Sequence, residues 1–164
     1  MRILTSNRLR IALLPAAVCW AALAAGATAP GSTDIAIVVG PNVPVDNLSF
    51  ADLRRLMLGD RQYWTSNLRV TLMVRAPVAR ERDVVLKTIY QMSEAQFRQY
   101  WIAKVFRAEA SSAPRIVYSN EMAVELTGTI PGAVAFVAAD QVPKGLKVLK
   151  IDGLSPGDRG YPLR

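Results

Sequence analysis

Between residues 35 and 151 the chain alternates between two kinds of apolar spacing. Ile35–Val39 is an unbroken run of β-branched and small apolar residues closed by Gly40-Pro41, the pattern of a strand buried on both faces. Apolar residues then fall at helical spacing, at Phe50, Leu53, Leu56 and Met57, behind Ser49 as an N-cap and ahead of Gly59 as a stop. Residues 70–74 read as a second strand, reached through Tyr63, Trp64 and the turn-prone Thr65-Ser66-Asn67. From Ala79 to about Gln91 the spacing predicts a helix that buries Val84, Val85, Thr88 and Ile89 and turns Glu81, Arg82 and Lys87 to water. Ser93-Glu94-Ala95-Gln96 has the form of a capping box for a further helix, in which Phe97, Trp101 and Val105 recur every four residues beside Tyr100 and Ile102. After a loop over residues 110–114, Ser119 or Asn120 caps a short helix carrying Met122 and Leu126. Pro131-Gly132 then turns the chain into a third buried strand over residues 133–137. A fourth strand is expected over residues 148–151, with Lys147 and Lys150 marking an exposed edge, before a Gly- and Pro-rich stretch from 152 to 164. Strands that alternate with helices imply an α/β layered fold with a mostly parallel sheet and right-handed connections.

The first residues follow another rule. Arg2, Arg8 and Arg10 precede an apolar run over residues 11–25, and small residues follow it, which is the tripartite form of a secretory signal peptide. The run is short for a membrane span. Ala25-Gly26-Ala27 supplies a cleavage pattern, preferred to Ala27-Thr28-Ala29 because the latter leaves Pro30 beside the cut. Residues 1–27 are therefore expected to be a signal peptide, and residues 28–164 one exported domain in the periplasm. Cys19 lies within the apolar run and follows Val18, so it leaves with the signal and is not a lipidation site. Cleavage removes three of the 20 basic residues and none of the 13 acidic ones, lowering the net charge from +7 to +4.

Composition then narrows the chemistry. The chain has no histidine, which excludes Ser-His-Asp and Cys-His nucleophile activation and imidazole-based metal sites. Asp52 with Asp60, or Glu121 with Glu125, could be paired as catalytic carboxylates, but no perturbing neighbour is evident for either pair. A non-enzyme without metal or cofactor is expected. No dense Lys/Arg run is interleaved with aromatics, so nucleic acid is not expected as a partner. Trp101 is read as core rather than as a binding platform.

Several segments, in order, resemble one lobe of the periplasmic phosphate-binding proteins that serve ABC importers, within the type II solute-binding folds. They are Leu48-Ser49-Phe50-Ala51-Asp52-Leu53, Met57-Leu58-Gly59-Asp60 with Trp64, the strand ending at Arg75, residues 129–137, and Gly160-Tyr161-Pro162-Leu163. The resemblance implies a single three-layer α/β lobe, a mostly parallel sheet flanked by helices, and phosphate transport or sensing. It also implies a ligand-binding turn at Arg75, Ala76, Ala79 and Arg80. In the family that arginine precedes a Ser/Gly/Thr-rich turn opening a helix, whose N–H groups and hydroxyls hold the anion. Here the stretch reads Arg75-Ala76-Pro77-Val78-Ala79-Arg80-Glu81-Arg82-Asp83: the arginine is kept and the hydroxyls are gone. Arg75, Arg80 and Arg82 could gather around an anion, or Arg80 to Asp83 could be a solvated first turn. Two functions follow as expectations: weak binding or sensing of a phosphate-like anion, or an interaction module docking on a membrane sensor, a transporter or a second copy as a homo-oligomer.

Export is directly testable. Mass spectrometry of periplasmic material should find a mature chain beginning at Thr28; a chain starting at Met1, or one lipidated at Cys19, overturns the signal-peptide reading.

Overall fold

The computed structural model describes residues 34–65 and 67–164; the expected signal segment, with Cys19, lies outside the described residues. Six strands form one sheet: β1 (Ile35–Val39), β2 (Asn47–Leu48), β5 (Thr71–Arg75), β6 (Arg115–Val117), β7 (Ala133–Ala138) and β8 (Lys147–Ile151), in the order β2-β8-β1-β7-β5-β6. A separate hairpin pairs β3 (Tyr63–Thr65) with β4 (Leu68–Arg69). β1 runs antiparallel to both its neighbours, whereas β2 with β8, β7 with β5 and β5 with β6 are parallel. Five strands thus share one direction and β1 alone opposes them.

The unbroken apolar run of β1 is what a central strand needs, since both faces are covered. Ile35, Ile37 and Val39 join the core beneath α1 (Phe50–Met57), a short helix α2 (Arg80–Val85) and α3 (Glu94–Phe106), while Ala36 and Val38 join the core beneath α4 (Asn120–Thr129). β7 divides likewise, Val134 and Phe136 to the first core, Ala133, Ala135 and Val137 to the second. The result is a sheet between two helical layers.

Local sequence sets the helix starts. Ser49, Ser93 and Ser119 each accept a hydrogen bond from the backbone N–H three residues on, satisfying an otherwise orphaned donor, and Gln96 completes the capping box by accepting from Ser93 N at 2.8 Å. α3 is anchored to the end of α1 through one acceptor: Tyr100 Oη and Lys104 Nζ both donate to the Leu58 carbonyl, at 2.8 and 2.7 Å. A cation there also suits the negative end of the α1 dipole. Burial opposes the Lys104 charge, but hydrogen bonds with Asp60 and Tyr100 outweigh it and hold the ammonium pKa above its ordinary value.

Several expectations need correction. The helix read from 79 to 91 is α only to Val85 and continues as a π-helical turn, Leu86–Tyr90, ended by Gln91 at φ 56°. Glu81 and Arg82, expected in water, are buried, and Val84 and Thr88 are only partly covered. In α3 the buried line is Phe97, Trp101 and Lys104; Val105 and Ile102 face outward. Steps of four residues drift about 40° each around a helix of 3.6 residues per turn, so the second step, to Val105, has left the core. β8 is not an edge, because β2 covers it; the edges are β2 and β6, both shorter than the spacing argument resolves. No helix among the described residues is long and apolar enough to cross a membrane.

The Pro131-Gly132 turn is a tight junction. Gly132 sits at φ 71°, its carbonyl accepts from Thr71 N at 3.0 Å and from the buried Trp64 Nε1 at 2.9 Å, and a methyl group on it would lie 2.0 Å from the Arg69 carbonyl oxygen. Gly132→Ala is therefore expected to cost about 3 kcal/mol or more, from backbone strain plus an overlap no rotamer relieves; urea unfolding measures it, and an unchanged midpoint refutes the junction.

Candidate functional site

Arg75 ends β5 at the edge of the sheet toward which the parallel strands point, where open α/β folds place their ligands. The turn after it is held by two backbone bonds, Ala76 N to Val117 O at 2.9 Å and Ala79 N to Ala76 O at 3.3 Å. Between them Val78 takes φ 68° with its side chain in solvent, a conformation that costs an L-residue about 1–2 kcal/mol. Ala79 then caps α2 without any side-chain hydrogen bond.

The arginines of this segment divide sharply. Arg82 is 3% exposed and fully engaged: Nε and Nη2 fork onto Glu94 at 2.7 and 2.9 Å, Nη1 donates to the Arg75 carbonyl at 2.7 Å, and the guanidinium lies 4.9 Å from the Phe97 ring centre. It ties the end of β5 to the start of α3, with each of its nitrogens already donating within the protein and almost none of it exposed to a ligand. The hydrogen bond from Arg82 is the main cause holding the Glu94 carboxyl below its ordinary pKa. Arg75 is the opposite case. Its side chain is 11% exposed, yet among the described residues Nε and Nη1 have no hydrogen-bond partner, and the ion pair seen there, Nε to Glu81 Oε2, is long at 3.7 Å. Arg80 is exposed and makes no ion pair with a described residue.

The structure therefore brings Arg75, Ala76 and Ala79 onto one turn and leaves Arg80 at its outer margin. It adds residues that the linear sequence does not place beside this turn. Glu121, in the first turn of α4, has its carboxyl pKa lowered chiefly by its own backbone N–H and the Ser119 hydroxyl, with the Arg75 guanidinium contributing. Asn120, buried beside it, donates to Gln141 Oε1 and leaves its own Oδ1 without a partner. α4 follows β6 and Gln141 follows β7, so topology rather than spacing assembles this margin. Among the described residues no group of three or more His, Cys, Asp or Glu could hold a metal ion. Chemically, the arrangement offers one constrained guanidinium with unused donors, two carboxylates that partly neutralise it, and no hydroxyl on the turn itself.

A scan against protein-family models and a search of curated proteins each find no match. Solved structures do share the fold. An ABC-type phosphate transport receptor from Vibrio cholerae superposes with a TM-score of 0.60 at 20% identity, over 75% of this chain and 48% of that one. A putative phosphate ABC transporter substrate-binding protein with bound phosphate from Clostridium perfringens gives 0.64 at 14% identity, over 79% and 51%. PstS from Borrelia burgdorferi gives 0.59 at 18% identity, over 75% and 49%. The chain spans about half the length of the structures it matches, and its fold is that of a single lobe of such proteins.

The two arginines should respond oppositely to removal. Arg82→Met strands Glu94 and is expected to cost about 3 kcal/mol at pH 7, the low end for a buried pair because Glu94 is partly exposed. Arg75→Met removes donors that are already unpartnered and should change stability by no more than about 1 kcal/mol. The Glu94 carboxyl pKa is lowered in the folded state, so its contribution is present above the ordinary carboxylate range and lost as pH falls through the lowered value. The Arg82→Met deficit should shrink in acid. Chemical denaturation at pH 7 and pH 3 checks both; equal costs for the two variants contradict the division of roles.

Proposed function

We propose that this chain is an exported solute-binding-type module with a weak site for a phosphate-like anion at Arg75, working with a membrane transporter or sensor. The observation that carries the reading is a nearly buried guanidinium, at the ligand-binding margin of a phosphate-receptor lobe fold, with two N–H donors unused. Buried donors are normally satisfied, and those that are not mark functional positions. An anion on Arg75 would supply the missing acceptors in the forked geometry that guanidinium favours. Ala76 and Ala79, whose N–H groups already donate to the Val117 and Ala76 carbonyls, would line the site as its small-residue wall, with Arg80 contributing longer-range charge from solvent.

Weakness follows from the same geometry. Glu81 lies within ion-pairing range of Arg75, Glu121 feels its field, and the turn carries no hydroxyl donor. An anion must compete with these fixed carboxylates for the guanidinium. An affinity near 10⁻⁴ M is expected, about 5 to 6 kcal/mol.

A second reading, in which the module docks on a membrane protein or a second copy, is favoured by one feature. Ile102, Val105 and Phe106 on the outer face of α3, with Ile116 on edge strand β6, line an apolar groove of about 640 Å³, and Phe106 is 91% exposed. Apolar patches of this kind mark interaction sites.

Calorimetric titration of the purified protein with orthophosphate and sulfate separates the two. The anion reading expects binding near 10⁻⁴ M that weakens with salt and disappears in Arg75→Ala; tight, salt-insensitive binding that survives Arg75→Ala refutes it. Absence of heat with either anion, together with concentration-dependent association lost in Phe106→Ser, favours docking.

A further inference from the structure

A second cavity, of about 230 Å³, opens at the other end of β5, between the β3–β4 hairpin, the loop over residues 110–114 and the start of β6. Three arginines line it: Arg61 ahead of the hairpin, Arg69 on β4 and Arg115 at the first position of β6. Ser111 and Ser112 add two hydroxyls, and no Asp or Glu is among the lining residues. Thr71 at this end and Arg75 at the other are four strand residues apart, about 13 Å, so the cavity is separate from the turn after Arg75.

Two of the three guanidiniums are positioned by neutral acceptors, and none of the three has a described carboxylate within 4.0 Å, Asp52 feeling the Arg61 charge only at longer range. Arg61 donates to the carbonyls of Tyr63 and Trp64, both at 3.2 Å, and Arg69 donates to the Ser111 hydroxyl. Arg115 makes no hydrogen bond or ion pair through its side chain with a described residue. None of the three is paired with a described carboxylate, whereas Arg55, Arg75, Arg82, Arg107 and Arg164 each have one within 4.0 Å. Neutral acceptors fix where Arg61 and Arg69 point and leave their charge intact. Like charges facing one concavity raise its potential and concentrate counter-ions there. Trp101 forms part of the wall, 3% exposed, and its indole N–H has no acceptor among the described residues.

The geometry points to a binding site for a small polyanion, one carrying two or more phosphoryl or carboxylate groups. Three cations, two of them held in place by neutral acceptors, need more than a single negative charge to balance them, and guanidinium donates in the fork that both groups accept. A multiply charged anion bridges β4, the 110–114 loop and β6, so its occupancy locks the hairpin against the sheet.

Pyrophosphate and citrate serve as the two probes, titrated into the purified protein by calorimetry at low salt, with orthophosphate as the monovalent-group control. Both polyanions, or one of them, should bind at one equivalent and more tightly than orthophosphate does at this cavity. Preference for pyrophosphate identifies phosphoryl chemistry, and preference for citrate identifies carboxylate chemistry. The Arg69→Ala/Arg115→Ala variant should lose at least tenfold in affinity while retaining wild-type thermal unfolding, and in Arg75→Ala, which removes the weak site at the other end of β5, the one-equivalent polyanion binding of this cavity should remain. As a second readout, the indole N–H resonance of Trp101 should shift on addition of the bound probe in the wild type and not in the double variant. Binding that is indifferent to Arg69→Ala/Arg115→Ala, binding that vanishes with Arg75→Ala, or no binding of either polyanion at 1 mM, a concentration on the order of that which reveals a 4 kcal/mol interaction, overturns the assignment. Because the two sites are probed by different variants, failure at Arg75 and failure here are distinguishable.

Discussion

The pairing of β1 with β7 is the constraint to which the rest of the structure answers. Each residue from Ile35 to Val39 faces a partner between Val134 and Ala138, and almost every side chain in the pair is excluded from water. Two adjacent strands covered on both faces need apolar layers on both sides, and burial at roughly 25 cal/mol per Å² makes any uncovered face costly. α1 and α3 with the π-helical turn provide one layer and α4 the other. The last described residues close the margin of β1: Leu163 O accepts from Ile35 N at 2.8 Å, Tyr161 Oη donates to Ile35 O at 2.8 Å, and Arg164 reaches Asp34 at 3.3 Å.

On that frame, two arginines seven residues apart do opposite work. Arg82 is a bracket: all three nitrogens are spent on Glu94 and on the Arg75 backbone, so it fixes where β5 ends and holds the first turn of α3 against it. Arg75 is held by the bracket through its carbonyl while its own guanidinium stays underused. Positioning thus comes from one residue and chemical potential from another. A buried donor without an acceptor costs about 1–3 kcal/mol, and at Arg75 that cost falls where Arg82 has already determined the backbone.

Much of this was legible along the chain where the governing interactions are local. Continuous apolar runs marked β1 and β7, and serines three residues ahead of the backbone N–H groups that donate to them marked the starts of α1, α3 and α4. Arg75 was legible as the end of a strand. Arg82 was not, because its burial depends on Glu94 twelve residues on and on a ring at Phe97, neither of which a helical-face argument can weigh. Arg80-Glu81-Arg82-Asp83 has the look of a solvated turn, and only half of it is one. β2 and β6 have two and three residues, too few for periodicity to register. Glu121, Asn120 and Gln141 come to the margin near Arg75 through the strand order, which no spacing encodes.

The shortness of those outer strands has a consequence for how the protein meets other chains. An exposed sheet edge invites strand addition, and long flat edges polymerise. β6 has three residues, enters behind Pro114, which has no N–H to donate, and begins with an exposed arginine; β2 has only two. Neither end can template a growing ladder. Any partner that settles over Ile102, Phe106 and Ile116 must therefore be recognised by side-chain shape and charge, and the protein can expose an apolar face without offering its backbone as a seed for aggregation.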